Sequence, residues 1–161
     1  MSSEERSINS EERNLDSVHH CSSQINENKD RIVQAGAVKH LVEFMDPASG
    51  VRIPVLVDGA VAVLAILATI PEGRKAIGQE GGIPALVELV ELGSARRKEN
   101  AAAALLQLCS NSSRLCHMVL QEGAVPPLVA LSQSGTQRAK EKAQTLLSYF
   151  RNQRHGNAGR A

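Results

Sequence analysis

The phrase QEGGIPALVELVELGS, residues 79–94, returns as QEGAVPPLVALSQSG at 121–135 and, more loosely, as VQAGAVKHLVEFM at 33–45. Its anchor glycines, Gly36, Gly81 and Gly123, stand 45 and 42 residues apart. Five positions after each comes a leucine (Leu41, Leu86, Leu128), and each leucine is followed by a valine (Val42, Val87, Val129). A period in the low forties constrains the fold more than any other feature of the chain. One such unit is too small to bury its own apolar faces, so equivalent units must stack along an axis.

Each unit reads as three helices. A short first helix (NKDRIVQA, EGRKAIGQE, SRLCHMVLQE) runs into the anchor glycine, which ends it by taking the left-handed backbone geometry that other residues resist. A second helix follows, with Pro84 in one unit and Pro126 and Pro127 in another within its first turn, where the missing donor costs nothing. The longer third helix (DGAVAVLAILAT, RRKENAAAALLQLCS, RAKEKAQTLLSYFRNQ) repeats apolar residues at three and four, as in Ala101, Ala104, Leu105, Leu108 and Ala143, Leu146, Leu147, Phe150. No valine-rich alternation marks a strand. The expected fold is all-α, with units at about 28–69, 70–111 and 112–154. A polar, Ser/Glu/Asn-rich segment at 1–27 is expected to be disordered, and 155–161 a flexible tail.

Composition narrows the function. A formal net charge of +1 gives no global field toward nucleic acid or anionic membrane. Aromatics are only 2% of the chain, namely Phe44, Tyr149 and Phe150, too few for the stacking platforms of single-strand RNA readers. The longest apolar stretch, Val55 to Ile70, is interrupted by Asp58, Gly59 and Thr69 and is too short for a membrane span. Cys21, Cys109 and Cys116 are odd in number and form no CxxC pair, and the charged N-terminus has no secretory pattern, so a cytoplasmic or nuclear protein is expected.

Glycine between first and second helices, GxIPxLVxLV opening the second and an ALxxL-type third together resemble armadillo repeats. The stretch from AIGQEGGIPALVELVELGSARRKEN to QRAKEKAQTLLSYFRNQRHGNAGRA is similar to the C-terminal armadillo region of plant U-box ubiquitin ligases, over roughly residues 28–161. The resemblance implies a right-handed α-solenoid of three armadillo repeats that binds a partner or substrate protein on its concave face, within plant ubiquitin-dependent signalling. The U-box of that family lies upstream of the repeats. Only 27 polar residues precede the first unit here, so the U-box is expected to be absent and ligase activity is not carried over. The same logic leaves open a non-catalytic fragment that regulates a full-length ligase.

Many armadillo proteins place asparagine late in the third helix, where its amide both donates to and accepts from an extended peptide. The matching positions here are Ile66, Gln107 and Tyr149. One amide in three disfavours the alternative of an importin-α-like peptide and transport adaptor. Residues sharing that face by helical spacing are Asn100, Ala103 and Asn111, then Lys142, Thr145 and Gln153, with Gly59 and Ala62 in the first unit. The predicted partner-binding set is therefore Ile66, Asn100, Gln107, Asn111, Lys142, Thr145 and Tyr149. Tyr149 is the sharpest single residue of the set, because tyrosine is enriched at hot spots. The competing reading makes each of them a solvated helix position.

Other motifs carry less. ARRKEN and QRAKEK, with Arg151, Arg154 and Arg160, suggest an acidic partner, but Glu99 and Glu141 interleave with the cations, as in ordinary solvated helix starts. HHC at 19–21 and Cys116-His117 lack the spacing of a closed zinc site, and no cofactor is expected. Cys109 reads as a small core residue. The histidines are expected in loops or first helices, away from any nucleophile. GQEGG at 78–82 has neither the strand nor the Lys-Ser/Thr of a phosphate loop. Finally, the first unit is four residues longer between its anchor glycine and ladder position than the others, near SGVRIPVL at 49–56. This apolar insertion is expected to lie against the N-terminal face of the first unit.

Overall fold

The computed structural model describes residues 22–50 and 53–158. Among them every regular element is helical. A helix α1 runs through 22–34, followed by α2 (Ala37–Met45), a 3₁₀ turn (Pro47–Ser49), α3 (Pro54–Leu67), α4 (Pro71–Gln79), α5 (Gly82–Leu92), α6 (Ala95–Asn111), α7 (Ser113–Gln121), α8 (Val125–Ser134) and α9 (Gln137–Ala158). These group as short, short, long, as the sequence period requires.

The punctuation is local chemistry. Gly36, Gly81 and Gly123 have φ of 79°, 74° and 76°, so each first helix stops in the left-handed region. Pro71 opens α4 and Pro54 opens α3 at positions whose N–H would have no helical partner. Ser94 and Ser112 cap α6 and α7 by accepting from the N–H of Arg97 (3.4 Å) and Leu115 (3.3 Å), and Thr136 accepts from Ala139 N–H at the start of α9 (3.2 Å).

Like elements stack on like. α2 packs on α5 and α5 on α8, while α3 packs on α6 and α6 on α9. One continuous core threads the stack, with Val61, Leu64, Leu67, Ile77, Leu86, Leu105, Leu108, Leu128 and Leu146 all buried, and no polar or charged residue is buried among those described. Ala101, Ala102 and Ala104 are fully buried, and their small side chains let α6 lie close between its neighbours. At Gly73 the approach is closest: an added Cβ would sit 1.9 Å from the Leu67 carbonyl oxygen, so α4 crosses the end of α3 backbone to backbone.

Three expectations need correction. The helix α1 takes in residues 22–27, which composition had assigned to a disordered segment; residues 1–21 of that segment lie outside the described residues. Extending a helix already nucleated costs little, and α1 is tied down by Val33 against the core and by Lys29 Nζ donating to Thr69 Oγ1 at 3.0 Å. Secondly, the apolar insertion covers nothing in its described part. Ile53, Val55 and Leu56 are 51%, 75% and 39% exposed, while Val51 and Arg52 lie outside the described residues. The extra length falls between a shorter α2 and Pro54, which starts α3, with Gly50 turning at φ 70°. Thirdly, His40 lies on the second helix α2 and His155 on α9, not in loops or first helices, and because α9 runs on to Ala158 the described part of the expected flexible tail at 155–161 is helical. The HHC motif lies outside the described residues.

Candidate functional site

The three third helices form one surface whose register follows from the sequence period. Ala60, Ala101 and Ala143 occupy one buried row, and Leu67, Leu108 and Phe150 another. The residue just before each member of the second row is Ile66, Gln107 or Tyr149. Packing thus places these three at equivalent points of neighbouring helices. Ile66 is 53% exposed and Gln107 and Tyr149 are half-buried. A turn earlier, Ala62 and Ala103 are half-buried and Thr145 is exposed; next come exposed Gly59 and half-buried Asn100 and Lys142. The face therefore changes along its length, from an apolar member on α3 through an amide on α6 to a phenol and an ammonium on α9.

Asn111 and Gln153 depart from this row. The Asn111 amide donates to Gln107 O and Ser110 Oγ, both at 3.0 Å, and its residue lines a cavity between α4 and α7. Gln153 lines the equivalent cavity one unit further on. Thr145 Oγ1 donates to the Glu141 carbonyl at 2.9 Å.

Beside the face runs a polar ladder that sequence reading did not identify. Arg97, at the start of α6, pairs with Asp58 on α3 and donates from Nη2 to Pro54 O at 3.0 Å. One unit later Glu99 on α6 accepts from Thr136 Oγ1 at 3.0 Å and lies 3.8 Å from Arg138. Glu141 holds the same position on α9, where it accepts from Gln137 of its own helix. The signal was present as an acid recurring with the repeat at 58, 99 and 141, the first two of which meet a cation of the next unit, Arg97 and Arg138. Arg97 and Arg138 of the two basic runs are thus engaged in joining third helices.

Nothing in the described residues assembles a nucleophile. Cys109 and Cys116 are buried. Loss of hydration, then the neighbouring Cys116, pushes the Cys109 thiol well above its ordinary range, and desolvation raises Cys116 as well, so both stay protonated. Exposed His40 pairs with Glu43 at 3.2 Å. No group of three His, Cys, Asp or Glu suited to a metal occurs among the described residues, and no helix there is long and apolar enough to cross a membrane.

A glycine-punctuated stack of helix trios with this register can be compared with known proteins. The family described as plant U-box protein ARM repeat region matches residues 3–158. The chain belongs to this family. The match reaches into the N-terminal segment, well before residue 28, where the resemblance was expected to begin. U-box domain-containing protein 4 of Arabidopsis thaliana is 81% identical over 116 residues, which are 72% of this chain and 13% of that protein. U-box domain-containing protein 3 of the same plant is 68% identical over 120 residues, 74% of this chain and 15% of that protein. The chain thus spans a small fraction of the length of these relatives, and what it matches is their repeat region.

Among solved structures, a designed armadillo repeat protein superposes with a TM-score of 0.69 at 27% identity, covering 77% of this chain and 51% of that one. A computationally designed armadillo protein for modular peptide recognition gives 0.70 at 24% identity over 85% and 58%, which shows the fold alone. The stacked helices expected from the glycine period, and the armadillo architecture that the resemblance implies, are observed.

Proposed function

We propose that this ARM region is a non-catalytic protein-binding module that holds a partner or substrate protein across the third helices α3, α6 and α9, in plant ubiquitin-dependent signalling. The observation that carries the reading is the register of Ile66, Gln107 and Tyr149 at equivalent, partly open positions of three neighbouring helices. A solenoid presents such a row as its concave working surface. The chemistry of the row favours an occupant with an apolar residue over Ile66 and hydrogen-bonding groups over Gln107 and Tyr149, extended by Asn100, Thr145 and Lys142. A designed armadillo repeat protein, 22% identical to this chain, is in complex with peptide (KR)4. With one amide in three and Lys142 on the same face, a basic peptide of that kind suits the present row poorly.

The test is capture of partners from plant extract by wild type, Tyr149→Ala and Gln107→Ala. Recovery of the specific partners should fall about tenfold or more for Tyr149→Ala, the scale of a hot-spot residue. Unchanged recovery by both folded variants contradicts the reading. Binding to this row should weaken only modestly with salt, because its charge is confined to Lys142. In a ubiquitin-discharge assay the chain alone should give no turnover, since the reading assigns it no catalytic group.

A further inference from the structure

We infer that the groove between first helices α4 and α7 is a second binding site, for an acidic, carboxylate-bearing peptide segment of a partner protein. The groove has a volume of about 520 Å³ and its rim carries Arg74, Lys75 and Arg114, with no acidic residue among its lining. That volume lies in the range of sites built to hold ligands. Leu115 and Met118 supply an apolar floor, and Gly78 keeps it open: a Cβ there would come within 2.9 Å of Leu115 Cδ2.

The cations are arranged for an external anion. Among the described residues none of the three forms an ion pair. Arg74 is fixed in place by donating from Nη1 to Ala68 O at 3.2 Å, which leaves further guanidinium donors for a guest. The acid of the same helix, Glu72, is not part of the groove's lining. Two guanidinium forks and an ammonium around an apolar floor match carboxylates flanking one aliphatic side chain.

The fold does not require this basicity. One unit further on, the equivalent groove of about 450 Å³ is lined by His117, Leu120, Gln121, Gly123, Val125, Gln153 and Arg154. There His117 stands where Lys75 stands, Leu120 where Gly78 stands, and buried Cys116 where Arg74 stands. Among the described residues no further first helix follows α7, and the exposed side of α7 does not carry the basic residues that α4 does. With a chain net charge of +1, it is also a local concentration of charge and no mere reflection of a basic protein. No aromatic lines the groove, which leaves a nucleic-acid base nothing to stack on.

The test is an NMR titration of the isotopically labelled full chain with a short synthetic peptide of one leucine flanked by glutamates. Amide shifts should move at Gly78, Arg114 and Met118, and Lys75→Glu/Arg114→Glu should raise the Kd about tenfold or more while the thermal midpoint holds. Tyr149→Ala should leave this titration unchanged, which separates the site from the third-helix face. The inference is overturned by any of four results: no shifts in the groove, equal affinity in the charge-reversed variant, equal binding of the matching lysine peptide, or binding only when glutamates are replaced by phosphoserine.

Discussion

Gly73 and Gly81 test whether each glycine is read correctly, because they are needed for different reasons. Gly73 has ordinary helical backbone but no space, its missing Cβ being 1.9 Å from Leu67 O. Gly81 has open space but φ of 74°. Gly81→Ala should therefore lose only the left-handed preference, about 1 kcal/mol, whereas Gly73→Ala must push α4 off α3 at about 3 kcal/mol. Urea denaturation of both variants checks the order; equal losses would contradict it. Only Gly81 was legible in the sequence, since it recurs with the period, while the crowding at Gly73 exists only once two helices cross. Cys109 was legible as a core residue from its place on the apolar side of the third helix. Because burial raises both buried thiols, the stability they contribute is complete below the ordinary thiol pKa near 9 and declines as pH rises past it toward the folded value. A Cys21→Ser chain should show both thiols inert to a thiol-specific dye until it unfolds, and the thermal midpoint should fall as pH rises through that window. Rapid labelling under native conditions would contradict the burial.

At the scale of elements, α6 is the hinge of the packing, in contact with α3, α5, α7 and α9. Leu105→Ala at its centre should cost about 2–5 kcal/mol, as for other fully buried leucines. The Asp58–Arg97 pair that ties α6 to α3 is part-exposed, with side-chain accessibilities of 41% and 22%, so removing it should cost no more than about 1 kcal/mol. A double-mutant cycle on Asp58 and Arg97 isolates that coupling. The helices themselves were readable from glycine, proline and the three-four spacing of leucines. The ladder was not read, because Asp58 and Glu99 look like solvated charges until the next third helix is laid alongside. The described part of the insertion was misread for a related reason: apolar composition argued for burial, but Ile53, Val55 and Leu56 stay exposed around the helix start at Pro54.

For the whole molecule, the period dictated the stacking and set Ile66, Gln107 and Tyr149 at equivalent positions of the three third helices, so that register was legible in the sequence. The first-helix groove was not, since Arg74, Lys75 and Arg114 come from different units and break the repeat. A core that runs unbroken through all three trios should make the array unfold as one cooperative transition, with Leu105→Ala shifting the whole curve. The most direct measurement is a hydrogen-exchange footprint of the chain with and without a captured partner. Protection centred on α3, α6 and α9 around Ile66, Gln107 and Tyr149 is the predicted result. A footprint that leaves those three helices unchanged would contradict the account.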